Sequence, residues 1–257
     1  MPILPRSRED HAAALALQTS LVPSALPTVI GVEVAARYVP GSGRVGGDWY
    51  DVFVLPSGEL VLVVGDVAGS GLGAAVVMGR IRSTLRAYAL VFPGPADVLS
   101  KLDQKMQYFE EHDVMATVSY AVLDPDSGQL RISSAGHFPP VIAAPGEHGA
   151  VAQIGVDLPI GVADAPARQV STLALAPGAT LCMFTDGLVE RRNEPIDDGI
   201  TRLCQAVTPG PPEDVCVAVM QALVGRQDPS DDIALLVLRW LPGQPPAPTM
   251  PAPGERS

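Results

Sequence analysis

The sequence predicts an α+β fold in which two mainly antiparallel sheets pack face to face with helices on their outer sides, an αββα sandwich. Three observations carry this expectation. Strand-like segments recur at hairpin spacing with turn residues between them. The helical segments are gathered in pairs instead of following each strand singly. Such grouping fits two packed sheets with helices outside and not the alternation of a doubly wound parallel sheet.

Taken from the beginning, Ser7 and Asp10 form a capping box, and the Ala/Leu-rich run 11–21 is helical until Pro23 stops it. This helix stands apart from the core, so residues 1–22 are an N-terminal helix, a linker or dimerisation remnant, and residues 23–240 are the folded domain. Its stripe of Ala12, Leu15, Ala16, Leu17 and Leu21 has to bury against something: its own domain, a second copy in a homodimer, or a separate sensor protein. In segment 32–39, Val32, Val34, Ala36 and Tyr38 alternate with Glu33, Ala35 and Arg37, the pattern of a half-buried strand. Segments 49–55 and 60–64 are strands joined by the hairpin turn Pro56-Ser57-Gly58. Two long helices follow at 72–91 and 95–111, the second opening on a proline whose missing N–H costs little at that position. Strands then return at 115–123, 129–134, 141–144, 169–175 and 180–184, helices at 198–206 and 212–223, and a last strand at 233–239. The Pro-rich tail 241–257 cannot build a core and is expected to be disordered.

Composition narrows the function. The 257 residues are 47% apolar, enough for a packed core, and the 17 Lys and Arg against 28 Asp and Glu give a net charge of -11. With no basic block, nucleic acid and anionic membrane are poor partners. The chain shows neither a secretory leader nor an apolar run approaching the roughly 18 residues that span a bilayer, so a cytoplasmic location is expected. Cys182, Cys204 and Cys216 are odd in number and widely spaced, the usage of buried thiols and not of a zinc site or disulfide framework.

Chemistry concentrates in aspartates that end apolar strands beside glycine or another aspartate: Asp48 in GGDWYD, Asp66 in LVLVVGDVAGSG, Asp186 in LCMFTDG, and Asp231 with Asp232 in DPSDDIALLVL. Any one of them alone reads first as a turn former that caps backbone N–H groups. Together they place several carboxylates at the mouths of apolar strands, where charge is costly unless paired or ligated. Hard oxygen donors without His or Cys suit Mg²⁺ or Mn²⁺. Arg44, just before Gly46-Gly47-Asp48, is a candidate phosphate contact, although a loop arginine is ordinarily solvated. His137 reads as a structural hydrogen-bonding group, and Trp49 and Tyr50 as packing on opposite sides of a strand.

The ordered runs LQTSLVPSALP, GVEVAARYVPGSGRVGGDWYDVF, VVGDVAGSGLGAA, SSAGHFPP, LPIGV, MFTDGLVERR and SDDIALLVLR resemble the motifs of SpoIIE/RsbU-type serine/threonine phosphatases, a bacterial branch of the metal-dependent protein phosphatase 2C (PPM) superfamily. The resemblance spans about residues 18–239. It implies two divalent cations, Mn²⁺ or Mg²⁺, with Asp66 bridging them, the Val67 carbonyl contacting one, and Asp186 and Asp231 holding the other. It also implies that Asp48 helps hold the pair and that Asp232 is a possible substitute for Asp231. The implied reaction is hydrolysis of phosphoserine or phosphothreonine by metal-activated water, on a partner of the anti-sigma-factor-antagonist type. One position departs from the pattern: Ser70 stands where relatives carry histidine.

Two other readings compete. Gly69-Ser70-Gly71-Leu72-Gly73-Ala74 follows an apolar strand and opens a helix, which satisfies the dinucleotide fingerprint locally and would make the chain a nucleotide-cofactor enzyme. Against that, the helix leads into a second helix and no acidic strand end follows about 20 residues on. The second alternative is a non-catalytic phosphatase fold that only binds its partner.

Overall fold

Strict alternation along the long strands builds two core layers at once. In a computed structural model, residues 20–41, 46–109, 114–162, 167–191, 193–225 and 229–243 are described. In chain order they form β1 (Val32–Val39), β2 (Trp49–Val54), β3 (Leu60–Val67), α1 (Leu72–Ala89), α2 (Pro95–Phe109), β4 (Ala116–Leu123), β5 (Gln129–Ala135) and β6 (Val141–Ala143). Then follow β7 (Ala150–Val151), β8 (Val156–Asp157), β9 (Ser171–Ala174), β10 (Thr180–Phe184), α3 (Asp186–Val189), α4 (Ile196–Ala206), α5 (Pro212–Leu223) and β11 (Ile233–Trp240).

One sheet has the order β1-β11-β10-β6-β7, the other β2-β3-β4-β5-β8 with β9 paired to β5. All pairings are antiparallel except β5 with β8, so the expected sandwich is what forms. On β3, Leu60, Leu62 and Val64 enter the core between the sheets while Val61, Val63 and Val67 face α1 and α2. On β11, Ala234, Leu236, Leu238 and Trp240 face the inter-sheet core, and Ile233, Leu235 and Val237 face Leu203 of α4 and Val215 and Val219 of α5. These strands read as unbroken apolar runs because both of their faces are covered. Each fully buried aliphatic side chain contributes roughly 1.5–3 kcal/mol.

Several expectations shift. The strand expected at 60–64 continues through Gly65 and Asp66 to Val67, because β4 pairs with it to the end, Asp66 opposite Thr117 and Val67 opposite Ala116. The strand expected at 169–175 shortens to Ser171–Ala174. β7, β8 and α3 have no counterpart in the sequence reading. Trp49 faces α1 and α2 while Tyr50 enters the inter-sheet core, on opposite sides of the strand as expected. The Trp49 ring occupies the space beside Gly65, where a Cβ would lie 2.3 Å from it, so only glycine allows that strand pair to close over the indole.

Asp51 ties β2 to α1. Its carboxylate is 1% exposed and takes a two-pronged contact from Arg86, Nε and Nη2 each at 2.7 Å, with Arg82 Nε at 3.1 Å. The N-terminal helix lies almost entirely outside the described residues, as does most of the Pro-rich tail. At the described end, Leu21 packs on Gly79 of α1 and Val22 is buried in the inter-sheet core.

Candidate metal centre

Where the inter-sheet core reaches one edge, its inward positions change from aliphatic to aspartate. Asp48 precedes inward-facing Tyr50 and Val52, Asp66 follows Leu60, Leu62 and Val64, and Asp232 precedes Ala234 and Leu236, each in step with the two-residue alternation. Asp186 joins them two residues beyond the end of β10, at the start of α3, so that Asp48 and Asp66 come from one sheet and Asp186 and Asp232 from the other. One oxygen from each of Asp48, Asp66 and Asp186 lies within 4.8 Å of the others. Four segments distant in sequence thus deliver carboxylates to one rim.

The electrostatics are those of a site built for positive charge. Asp48 is 2% exposed, and its Oδ2 has no hydrogen-bond partner among the described residues. Burial pushes Asp48 well above the usual carboxylate range, and the neighbouring charges of Asp66 and Asp186 add to this while the Thr185 hydroxyl offsets part of it. Asp66 is raised by burial and by Asp231 and Asp232. Asp186 is pushed up to about 6, first by burial and then by Asp66 and Asp231. None of the ion pairs among the described residues involves Asp48, Asp66, Asp186 or Asp231. Mutually repelling carboxylates with no cationic partner, one of them holding an unpartnered buried oxygen, fit a hard divalent cation.

The two adjacent aspartates at the start of β11 have different surroundings. Asp232 is fully buried and accepts hydrogen bonds from the Tyr38 hydroxyl at 2.8 Å and the backbone N–H groups of Gly41 at 2.7 Å and Gly46 at 3.1 Å. It thereby fastens both ends of the loop that delivers Asp48. Asp231 is exposed, with Oδ1 accepting the Asp232 N–H at 2.8 Å, and borders a cleft of about 250 Å³ with Gly187, Glu190 and Ser230. A larger groove of about 440 Å³ on α1, lined by Leu21, Val76 and Gly79 among others, holds no carboxylate. The Val67 carbonyl lies so close to Gly47 that a Cβ there would be 2.3 Å from its oxygen, so glycine is required for Asp48 to sit beside Val67. Arg44 lies outside the described residues.

Three further polar groups stand at this rim. Thr185 sits beside Asp48, Glu190 lines the cleft one helical turn beyond Asp186, and Ser230 precedes Asp231. Their signal was only their nearness in sequence to aspartates. The glycine-rich turn after Asp66 is not a dinucleotide crossover, because α1 and α2 return the chain to β4, which pairs antiparallel with β3, whereas that motif needs parallel strands.

A carboxylate whose folded pKa lies above its unfolded value of about 3.9 binds more protons when folded, so its contribution to stability falls as pH rises. In the metal-free protein Asp186, with its pKa of about 6, is therefore expected to contribute about 1 kcal/mol more to stability at pH 5 than at pH 7, read as the difference between wild type and Asp186→Asn because buried His137, lowered to about 4, shifts the total the other way. Denaturant titrations in chelator at the two pH values check this, and saturating Mn²⁺ should abolish the gain.

Comparison with known proteins adds family evidence. Residues 56–241 match the family model described as Stage II sporulation protein E (SpoIIE). The chain is 28% identical over 256 residues to Protein IcfG of Synechocystis sp., covering 86% of this chain and 40% of that protein. It is 24% identical over 187 residues to phosphoserine phosphatase RsbU of Bacillus subtilis, covering 73% and 55%. The chain thus spans about half the length of these curated relatives. The crystal structure of the RsbU and RsbW domains of Rv1364c from Mycobacterium tuberculosis superposes with a TM-score of 0.76 at 27% identity, covering 89% of this chain and 64% of that one.

Proposed function

This chain belongs to the SpoIIE family, and from that premise we propose that it is a metal-dependent protein serine/threonine phosphatase with residues 23–240 as its catalytic domain. The observation that carries the proposal is the convergence of Asp48, Asp66 and Asp186 within 4.8 Å, one of them holding a buried oxygen without a partner. Membership supports the reaction class, since the RsbU relative is a phosphoserine phosphatase and the fold is that of PP2C phosphatase domains.

Asp48, Asp66, Asp186 and Asp231, with the Val67 carbonyl, would hold the cations, Mn²⁺ or Mg²⁺, two per chain. Bound there, such ions acidify water and neutralise charge on phosphoryl oxygens. The chain itself supplies the positioning. Asp66 neighbours both Asp48 and Asp186 and contributes to the elevation of each. Asp232 holds both ends of the β1–β2 loop behind Asp48, a supporting role in keeping with Asp231 as the ligand. The cleft beside Gly187 and Asp231 opens to solvent at the same rim, giving a protein-borne phosphoserine access without a deep pocket. Arg44 is the proposed phosphate contact.

The substrate class follows by family: a phosphorylated anti-sigma-factor antagonist, acted on in the cytoplasm. Among the described residues no helix is long and apolar enough to cross a membrane. The N-terminal helix is proposed to mediate homodimerisation. The test is release of inorganic phosphate from p-nitrophenyl phosphate and from a phosphoserine-carrying antagonist protein. Turnover should require Mn²⁺ or Mg²⁺ and fall to background with chelator, and a chelated protein that keeps its full rate refutes the mechanism.

A further inference from the structure

Between β5 and β6 the chain crosses from one sheet to the other at the rim that carries the aspartates, and His137 lies on that crossing. Its ring is 3% exposed and makes two contacts that run to opposite sheets. Nε2 lies 3.0 Å from the carbonyl oxygen of Phe184, the last residue of β10 and two before Asp186. Nδ1 lies 2.8 Å from Oγ1 of Thr117, which pairs directly opposite Asp66 on β4. A carbonyl only accepts, so Nε2 carries the proton and donates, and Nδ1 accepts from the Thr117 hydroxyl. Burial holds the imidazole neutral by lowering its pKa to about 4, consistent with that single tautomer.

The crossing is fixed on both sides of the ring. The Ser134 hydroxyl donates to the His137 carbonyl at 2.7 Å, and the Phe138 ring stacks on Phe184 with centroids 5.8 Å apart. His137 therefore does not float in the core; its neighbours define where each ring nitrogen points. Thr117 and Asp66 are cross-strand partners on the same face, so a displacement of one carries the other. Phe184 and Asp186 are joined through Thr185, which is itself tied to Ala234 by the backbone.

We propose that His137 is a positioning residue that sets the spacing between Asp66 and Asp186 by bridging the two sheets beneath them, and so sets the affinity of the centre for divalent cations. This rests on the metal-centre reading above. A carboxylate on each sheet has to stay at a fixed separation while both repel each other, and apolar sheet packing alone allows the rim to spread. The imidazole is a rigid spacer with a directed donor on one side and a directed acceptor on the other, which an aliphatic side chain of equal volume does not provide. Groups that orient ligands from behind commonly account for about 10- to 100-fold in metal affinity.

The test is equilibrium binding of Mn²⁺ to the whole chain, read by calorimetry and by loss of the free-ion EPR signal, beside the denaturation midpoint in chelator. His137→Ala should weaken Mn²⁺ binding about 10-fold or more, with His137→Gln recovering part of the loss. Thr117→Val removes a single hydroxyl, preserves shape, and should shift affinity in the same direction even where His137→Ala folds poorly. Wild-type Mn²⁺ affinity in both Thr117→Val and a folded His137 variant, whatever the change in midpoint, overturns the positioning role. Failure of the wild-type protein to bind Mn²⁺ overturns the metal centre on which it rests.

Discussion

Asp66→Asn is expected to lower phosphatase turnover by roughly two orders of magnitude or more while leaving the domain folded. The charge of Asp66 raises both Asp48 and Asp186, the two carboxylates that lie within 4.8 Å of it. Asparagine keeps its size and one carbonyl oxygen but loses the charge that holds a cation. The same change removes repulsion from the metal-free rim, so stability in chelator should stay level or increase. Loss of activity with a parallel loss of stability would instead mark Asp66 as a structural residue. Asp186→Asn should act in the same direction with a smaller effect. Initial rates at saturating Mn²⁺, with denaturation curves in chelator, separate these outcomes.

Asp51→Ala is expected to cost about 2–4 kcal/mol of stability, a fall in midpoint of roughly 5–15 °C. Removing one partner of a buried ion pair leaves the other uncompensated, ordinarily about 3–5 kcal/mol. The figure is reduced here because the Arg86 side chain is 42% exposed and Arg82 20%, so water recovers part of their solvation. Arg86 also lies over the Phe53 ring at 4.8 Å, a contact that survives the change. Since Asp51 fixes α1 to β2, the substitution should also loosen the segment between Asp66 and α1. Thermal unfolding of the wild type, Asp51→Ala and Asp51→Asn measures the effect, and a shift under about 1 kcal/mol would show that the arginines find equivalent partners.

The long elements were legible because periodicity is strongest where an element is longest. β10 and α5 fall on the expected residues. The short strands β7 and β8, two residues each, and the four-residue α3 carry too little sequence to show any period. The parallel pairing of β8 with β5 is a tertiary arrangement with no local signature. Gly65 and Asp66 read as a strand end because both are poor strand formers, yet the ladder with β4 runs two residues past Gly65. Tertiary pairing decided that boundary.

At the site, each aspartate was legible as a strand-end carboxylate, and their number together with the family resemblance pointed to a cluster. The preference for Asp231 over Asp232 rests on the family pattern alone, since adjacent residues of the same type carry no other distinction. In the fold their surroundings differ: Asp232 is enclosed by Tyr38, Gly41 and Gly46, while Asp231 stays exposed beside the cleft. Asp51 was invisible as a partner of Arg82 and Arg86, since a pair separated by a strand, a loop and a helix leaves no spacing to read.

The central claim is that the rim of aspartates holds divalent cations, and direct titration of the metal-free chain with Mn²⁺, followed by EPR, tests it most directly. The account predicts saturable uptake of two ions per chain with an exchange-coupled spectrum, abolished in a protein carrying Asp48→Asn, Asp66→Asn and Asp186→Asn together. No saturable uptake, or uptake unchanged in that triple variant, would contradict it.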